Sequence, residues 1–168
     1  MTTFTFRMPT GVPGDISRPS PQTVEAQAFG ATAFPAYGLP AKVSAGKVIP
    51  VSAQNDVVYG FLVRSFPITG ANASDALGTA VPPTTGVAGI LRRGYINVLV
   101  QLGGATCALG TGVFIRYQNP SGSQIIAGVE GATTGNNYQL TSTYTLGGGA
   151  YFTQPVDAAG NCEIAFNI

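Results

Sequence analysis

Glycine and proline break this chain before any apolar run grows long. The sequence holds 23 Gly and 12 Pro in 168 residues. Inside a helix each glycine costs about 1 kcal/mol and each proline about 3 kcal/mol relative to alanine. Helical spacing of apolar residues is correspondingly scarce, and what recurs between the breaks is alternation with a period of two. A chain punctuated this way is confined to short strands joined by tight turns.

The strands can be placed from that alternation. "CEIAFNI" sets Cys162, Ile164, Phe166 and Ile168 on one face and Glu163, Ala165 and Asn167 on the other. "AAGN" before it signals a turn, and "GAYFTQPV" before that a partner strand, so a C-terminal hairpin is expected. "KVSAGKVIPV" predicts a second hairpin turning near Ala45 and Gly46. "DVVYGFLVRSF" predicts one long strand, buried on both faces around Tyr59 to Val63. "GVAGILRR" and "YINVLVQL" predict two strands flanking Gly94, while "TGVFIRYQ", "SQIIAGVE" and "NYQLTSTYTL" supply more. About ten short strands make an all-β chain, a single β-sandwich, jelly roll or barrel-like domain.

The first forty residues carry six prolines, Pro9, Pro13, Pro19, Pro21, Pro35 and Pro40. Proline fixes φ and pushes its predecessor to extended geometry, so an extended N-terminal arm over 1–40 is expected, followed by a β-domain over 41–168. The arm also holds Val24, Phe29, Phe34 and Tyr37, too apolar for a disordered tail. It is expected to pack on the domain or on a neighbour. No internal repeat and no composition break marks a further boundary.

Charge narrows the function. Charged residues are 9% and apolar ones 45%, with formal net charge +1. An isolated soluble monomer ordinarily carries far more charge, so much of this surface is expected to lie against other protein. The same scarcity argues against nucleic acid, whose binding leaves a Lys and Arg footprint. No segment is apolar for the roughly 20 residues that a membrane helix needs. "MTTFTFRMPTGVPGD" lacks the basic and apolar regions of a signal peptide, so the product is expected to start in the cytosol.

Reactive chemistry finds little to work with. There is no histidine, which removes the commonest general base and metal ligand together. Cys107 and Cys162 lack zinc-site spacing, and two buried free thiols are expected in preference to a disulfide. Among the carboxylates Asp15, Glu25, Asp56, Asp75, Glu130, Asp157 and Glu163, the residues 56, 75 and 157 sit in turn contexts, and nothing selects an acid/base pair. "LGGATCALGTG" and "LGGGA" open no helix and lack the phosphate-loop lysine, so they suit turns and bulges. The sequon at Asn72 means little without a secretory route. Lys42 and Lys47 fall on an apparently exposed hairpin. No metal, cofactor or small-molecule substrate is expected.

Arg92 and Arg93 stand in the middle of an apolar run. As successive strand residues they point to opposite faces. Either both are solvated beside a turn at Gly94, or one grips the acidic edge of a partner protein, which the planar guanidinium suits.

The segments "PGDISRP" (13–19), "AYGLPAKVSAGKVIPV" (36–51), "VYGFLVRSFP" (58–67), "LGTAVPPTTGVAGILRRGY" (77–95) and "GAYF…GNCEIAFN" (149–167) together resemble the structural cement, or head decoration, proteins of tailed bacteriophages. The block "PPTTG…LRRGY" is the most specific, and 103–148 is the least alike. The resemblance implies a non-enzymatic virion protein. It would bind the outside of the assembled major capsid protein lattice and reinforce the head against packaged DNA. Its partners would be the major capsid protein and further copies of itself, as dimer or trimer, with no nucleic acid, membrane or small molecule. Candidate contacts are then Phe4, Phe6, Phe29, Phe34 and Tyr37 in the arm, with Arg92, Arg93 and Tyr95 in the block. Core packing is the alternative for each aromatic, and the favoured one for Phe4 and Phe6. The rival structural readings are a tail, fibre or baseplate β-protein and, behind it, a carbohydrate-binding β-sandwich; a hydrolase would need a cleft with a perturbed carboxylate pair.

Overall fold

A computed structural model of the chain describes residues 11–19, 21–64 and 81–168. Phe4, Phe6, Asn72 and Asp75 lie outside the described residues.

Among the described residues there are ten strands, with one 3-10 turn at Gly104–Thr106. They are β1 (Thr23–Ala28), β2 (Pro40–Ser44), β3 (Lys47–Pro50), β4 (Gly60–Leu62), β5 (Val87–Leu102), β6 (Phe114–Arg116), β7 (Val129–Glu130), β8 (Asn137–Gln139), β9 (Ala150–Phe152) and β10 (Asn161–Phe166). The strands run in the order β3-β2-β4-β5-β7-β6-β8, with β1 and β10 also on β5 and β9 on β10. Every ladder is antiparallel except β5 with β7. The chain is all-β, as its punctuation requires.

Two hairpins sit where the turn chemistry puts them. β2 and β3 close through Ala45 at φ 49° and Gly46 at φ 73°. Two positive φ values are what a tight two-residue hairpin demands. β9 and β10 pair Ile164 with Phe152 and Phe166 with Ala150.

β5 departs from expectation. Instead of two strands flanking a turn, residues 87–102 run as one strand through Gly94, which takes φ 138°. Glycine inside a strand marks a kink or bulge as readily as a turn. Here it marks the point where β5 changes partners. Before it, β1 lies on one side and β4 on the other; after it, β10 takes over, pairing Phe166 with Gly94 itself. A side chain at Gly94 would press on Pro21 O and Leu91 Cδ1, each 3.2 Å away.

The long strand expected over 56–66 is also different. Among the described residues 56–64, only Gly60–Leu62 is strand, with Val58 bridging to Thr145 instead. Gly60 lies so close to β5 that a Cβ would come 2.4 Å from Leu91 O. The segment thus passes from one partner to another.

Alternation along β4 and β5 builds two apolar clusters. Phe61, Leu91, Ile96 and Val98 join a large one with Phe152, Ile164 and Phe166. Leu62, Ala88 and Ile90 join a smaller one with Phe29, Phe34, Tyr37, Leu39, Ala41 and Val48. The described part of the N-terminal region feeds both. Gly14 N donates to Asn97 O at 2.8 Å, Asn97 N to Asp15 O at 2.9 Å and Ser17 N to Tyr95 O at 3.2 Å. Residues 14–17 therefore lie along β5, and β1 pairs with it directly, so the backbone shows no gap at residue 40. The face of β10 that carries Glu163 and Ala165 is covered: Ala165 is fully buried and Glu163 is only 7% exposed.

Candidate protein-docking face

The carboxylates are held locally. Glu130 sits in the interior, where Arg116 Nε donates to Oε1 and Asn137 Nδ2 to Oε2, both at 2.6 Å. Arg116 Nη1 also reaches Gln118 O and Asn119 O at 3.1 Å. This buried pair has its hydrogen bonds satisfied, the condition under which a buried charge survives. Asp56 accepts from Lys42 Nζ at 2.6 Å and from the backbone of Ser52 and Ala53. Lys42 is thus tied to the loop that follows its hairpin. Burial pushes the Asp56 carboxyl up, but those hydrogen bonds outweigh it and hold the group below the usual range. Asp157 accepts from Ala159 N and Asn161 N, closing the turn before β10. Asp15 accepts from Val12 N at 3.4 Å. Both cysteines are buried free thiols.

The two neighbouring arginines have different fates. Arg92 turns to the face it shares with Ala88 and Ile90. Its guanidinium lies 3.6 Å from the centre of the Tyr59 ring, and Nη1 lies 3.6 Å from Glu25 Oε2. Tyr59 donates its hydroxyl to Glu25 and accepts from Gln27 Nε2 at 3.0 Å. The bond to Glu25, together with burial, raises the Tyr59 hydroxyl above its ordinary value. Arg92 is therefore spent within the molecule, binding β5 to β1 and to the segment before β4.

Arg93, one residue on, points to the other face. It is exposed and belongs to none of the ion pairs among the described residues. In the register of β1 with β5 it stands opposite Thr23. On the same face follow Val24, Ala26 and Ala28 from β1, with Gly89 and Val87 opposite the last two. Val24 is 43% exposed and Val87 67%, although both sit on paired strands. Gly89 leaves this face flat, since a Cβ there would touch Val24 and Val63. A small-residue apolar ladder, exposed and bordered by a guanidinium outside the ion pairs of the described residues, has the composition that protein interfaces favour.

The remaining contacts singled out from sequence lie elsewhere. Tyr95 is half-buried beneath Arg18, whose guanidinium carbon is 4.0 Å from the ring centre. Phe29 and Phe34 pack edge to face, with centroids 6.0 Å apart, inside the smaller cluster. Phe34 is 1% exposed. Tyr37 joins them, its hydroxyl buried without a hydrogen-bond partner and raised by that burial. All three aromatics pack into the smaller cluster, and Phe29 also lines a groove at the surface beside Gly30 and Lys47. Sequence reasoning missed the ladder face itself. Its signal was the alternation in "TVEAQA", obscured by the prolines around it.

A family model described as XM1 gp53 minor capsid protein matches residues 1–166. A chain from the capsid of Myoviridae phage XM1 superposes with a TM-score of 0.62 at 18% identity, covering 92% of this chain and 89% of that one. No curated protein matches the chain.

Proposed function

Because this chain belongs to the XM1 gp53 minor capsid protein family, a structural family of the phage virion, we propose that it is a decoration protein that cements the major capsid lattice from outside. The observation that carries this reading is the exposed apolar ladder of β1 and β5 with Arg93 unpaired at its border. A composite site spanning neighbouring subunits exists only in the assembled shell, so binding there stabilises assembly by mass action. Contacts that are modest singly become strong when tied together in one rigid body. The low charge fits a molecule whose surface meets protein on several sides, with no nucleic acid among its partners. A closed homo-oligomer, dimer or trimer, suits the symmetry axes of such a lattice. The role is non-enzymatic: Asp15, Glu25, Asp56, Glu130 and Asp157 are each engaged in the local bonds given above. A capsid family also leaves the tail, fibre and baseplate readings without support.

The test is direct. Purified protein is added to expanded, undecorated capsids, and thermal and osmotic rupture are measured. Saturable binding with raised resistance is expected; binding to neither face of the shell, or binding with unchanged rupture, ends the reading.

A further inference from the structure

Lys47 resembles Arg93 in one respect: it too is exposed and outside the ion pairs of the described residues. The two cations stand at opposite ends of β1. Arg93 is opposite Thr23 at the start of the strand. Lys47 meets the chain just past its end, where Gly30 N donates to Val48 O at 2.8 Å and a Cβ on Gly30 would lie 3.7 Å from Lys47 Cβ. Seven residues of strand at about 3.3 Å each set the cations roughly 23 Å apart.

The exposed residues between them are uncharged, although Leu91, opposite Val24, is buried. From Arg93 the strip runs over Val24, Ala26 and Ala28, with Val87 alongside. At Ala28 it enters a groove of about 510 Å³ floored by Gly30 and Ala31 and walled by Thr84, Thr85 and Lys47. A second hollow of about 370 Å³ adjoins it on the hairpin side, again with Lys47 on its wall. Lys47 is the charged residue of both. Along the strip β1 has a single ladder partner among the described residues, β5, and just past its end Phe29 bridges to Val48 of β3.

Resting on the capsid reading above, we propose that this strip seats one extended segment of a capsid subunit, apolar along its length, with a carboxylate near each end to meet Arg93 and Lys47. A second copy of this chain is the wrong occupant on charge grounds. Antiparallel self-pairing along β1 would set Arg93 against Lys47, and parallel pairing would set each cation against itself. The acid on β1, Glu25, cannot compensate, because Arg92 and Tyr59 hold it on the opposite face. The carboxylates must come from another molecule, and small side chains let its backbone lie close.

The experiment uses the full chain and expanded, undecorated capsids. Arg93→Glu and Lys47→Glu are made singly and together, with Ser142→Glu on an exposed loop as control. Each charge reversal is expected to weaken capsid binding about tenfold or more, and the double variant further. Melting temperatures should be unchanged, and the control should bind like the wild type. Bound capsid should also slow amide exchange at 23–30. If the wild type does not bind capsids, the capsid reading itself fails. If the wild type binds and both reversals bind equally well, or 23–30 stay unprotected, the strip fails while the capsid reading stands. A self-associated wild type that the double variant dissociates also overturns the strip, because its occupant is then a second copy.

Discussion

Arg18 closes on Glu163 across 145 residues of sequence, with Nη2 at 2.6 Å from Oε1 and Nε at 3.1 Å from Oε2. Ser17 and Thr153 donate to the same carboxylate. The pair clips the N-terminal region to β10 and stacks Arg18 over Tyr95 on β5.

Acid sensitivity follows from that clip. Burial alone would raise the Glu163 carboxyl, but the hydrogen bonds from Arg18, Ser17 and Thr153 win and hold it low. A carboxyl depressed on folding adds stability that is present above its unfolded value and lost as pH falls through its folded one. Stability should therefore fall as pH drops below about 4.3, the ordinary glutamate value. Urea midpoints between pH 7 and pH 2.5 measure it. Glu163→Gln should be less stable at neutral pH and show a flatter acid limb; an identical acid slope would contradict the assignment.

Breaking the interior pair should cost far more than breaking a surface one. Glu130→Ala leaves the Arg116 guanidinium buried without its carboxylate, which costs about 3–5 kcal/mol. Replacing both with apolar residues of similar volume should recover much of that loss. Equilibrium unfolding of the single and double variants gives the comparison.

Phe34→Ala separates packing from docking. With 1% of Phe34 exposed, truncation should cost about 3–5 kcal/mol. Capsid affinity per folded molecule should stay as in the wild type. A large drop in affinity with stability intact would return Phe34 to the contact surface.

Removing residues 1–30 tests how the N-terminal region belongs. Deletion takes away Arg18, β1 and Phe29, so cooperative unfolding should be lost along with capsid binding. A truncated chain that still melts sharply would show that these contacts are dispensable.

Cys107 should be inert. Burial pushes its thiol up to about 11, so at pH 8 it stays protonated and covered. A thiol reagent should label it only on unfolding; rapid labelling of the native protein would refute this.

What the sequence disclosed was what is decided locally. Ala45 and Gly46 announce a hairpin because the turn's backbone angles are a property of those two residues. Gly94 was misplaced because a kink and a turn make the same demand on a glycine, and only the partners on either side distinguish them. Phe29, Phe34 and Tyr37 lie among prolines whose local message is extended chain; Val48, Leu62 and Ile90, all distant in sequence, determine that they are buried. Alternation alone separates Arg92 from Arg93. Which of the two faces inward depends on Tyr59 and Glu25, which come from other segments of the chain, so no local pattern could have decided it.

The length of β5 has a consequence for how the protein is made. Its first half finds β1 and β4 already synthesised, whereas the half after Gly94 waits for β10 until β6 to β9 have emerged. At about 5–20 residues per second, that leaves a nascent chain with a bare strand edge for a few seconds. During that interval the newborn protein is sticky toward other strands, and its yield in the cell is a race between the arrival of β10 and aggregation.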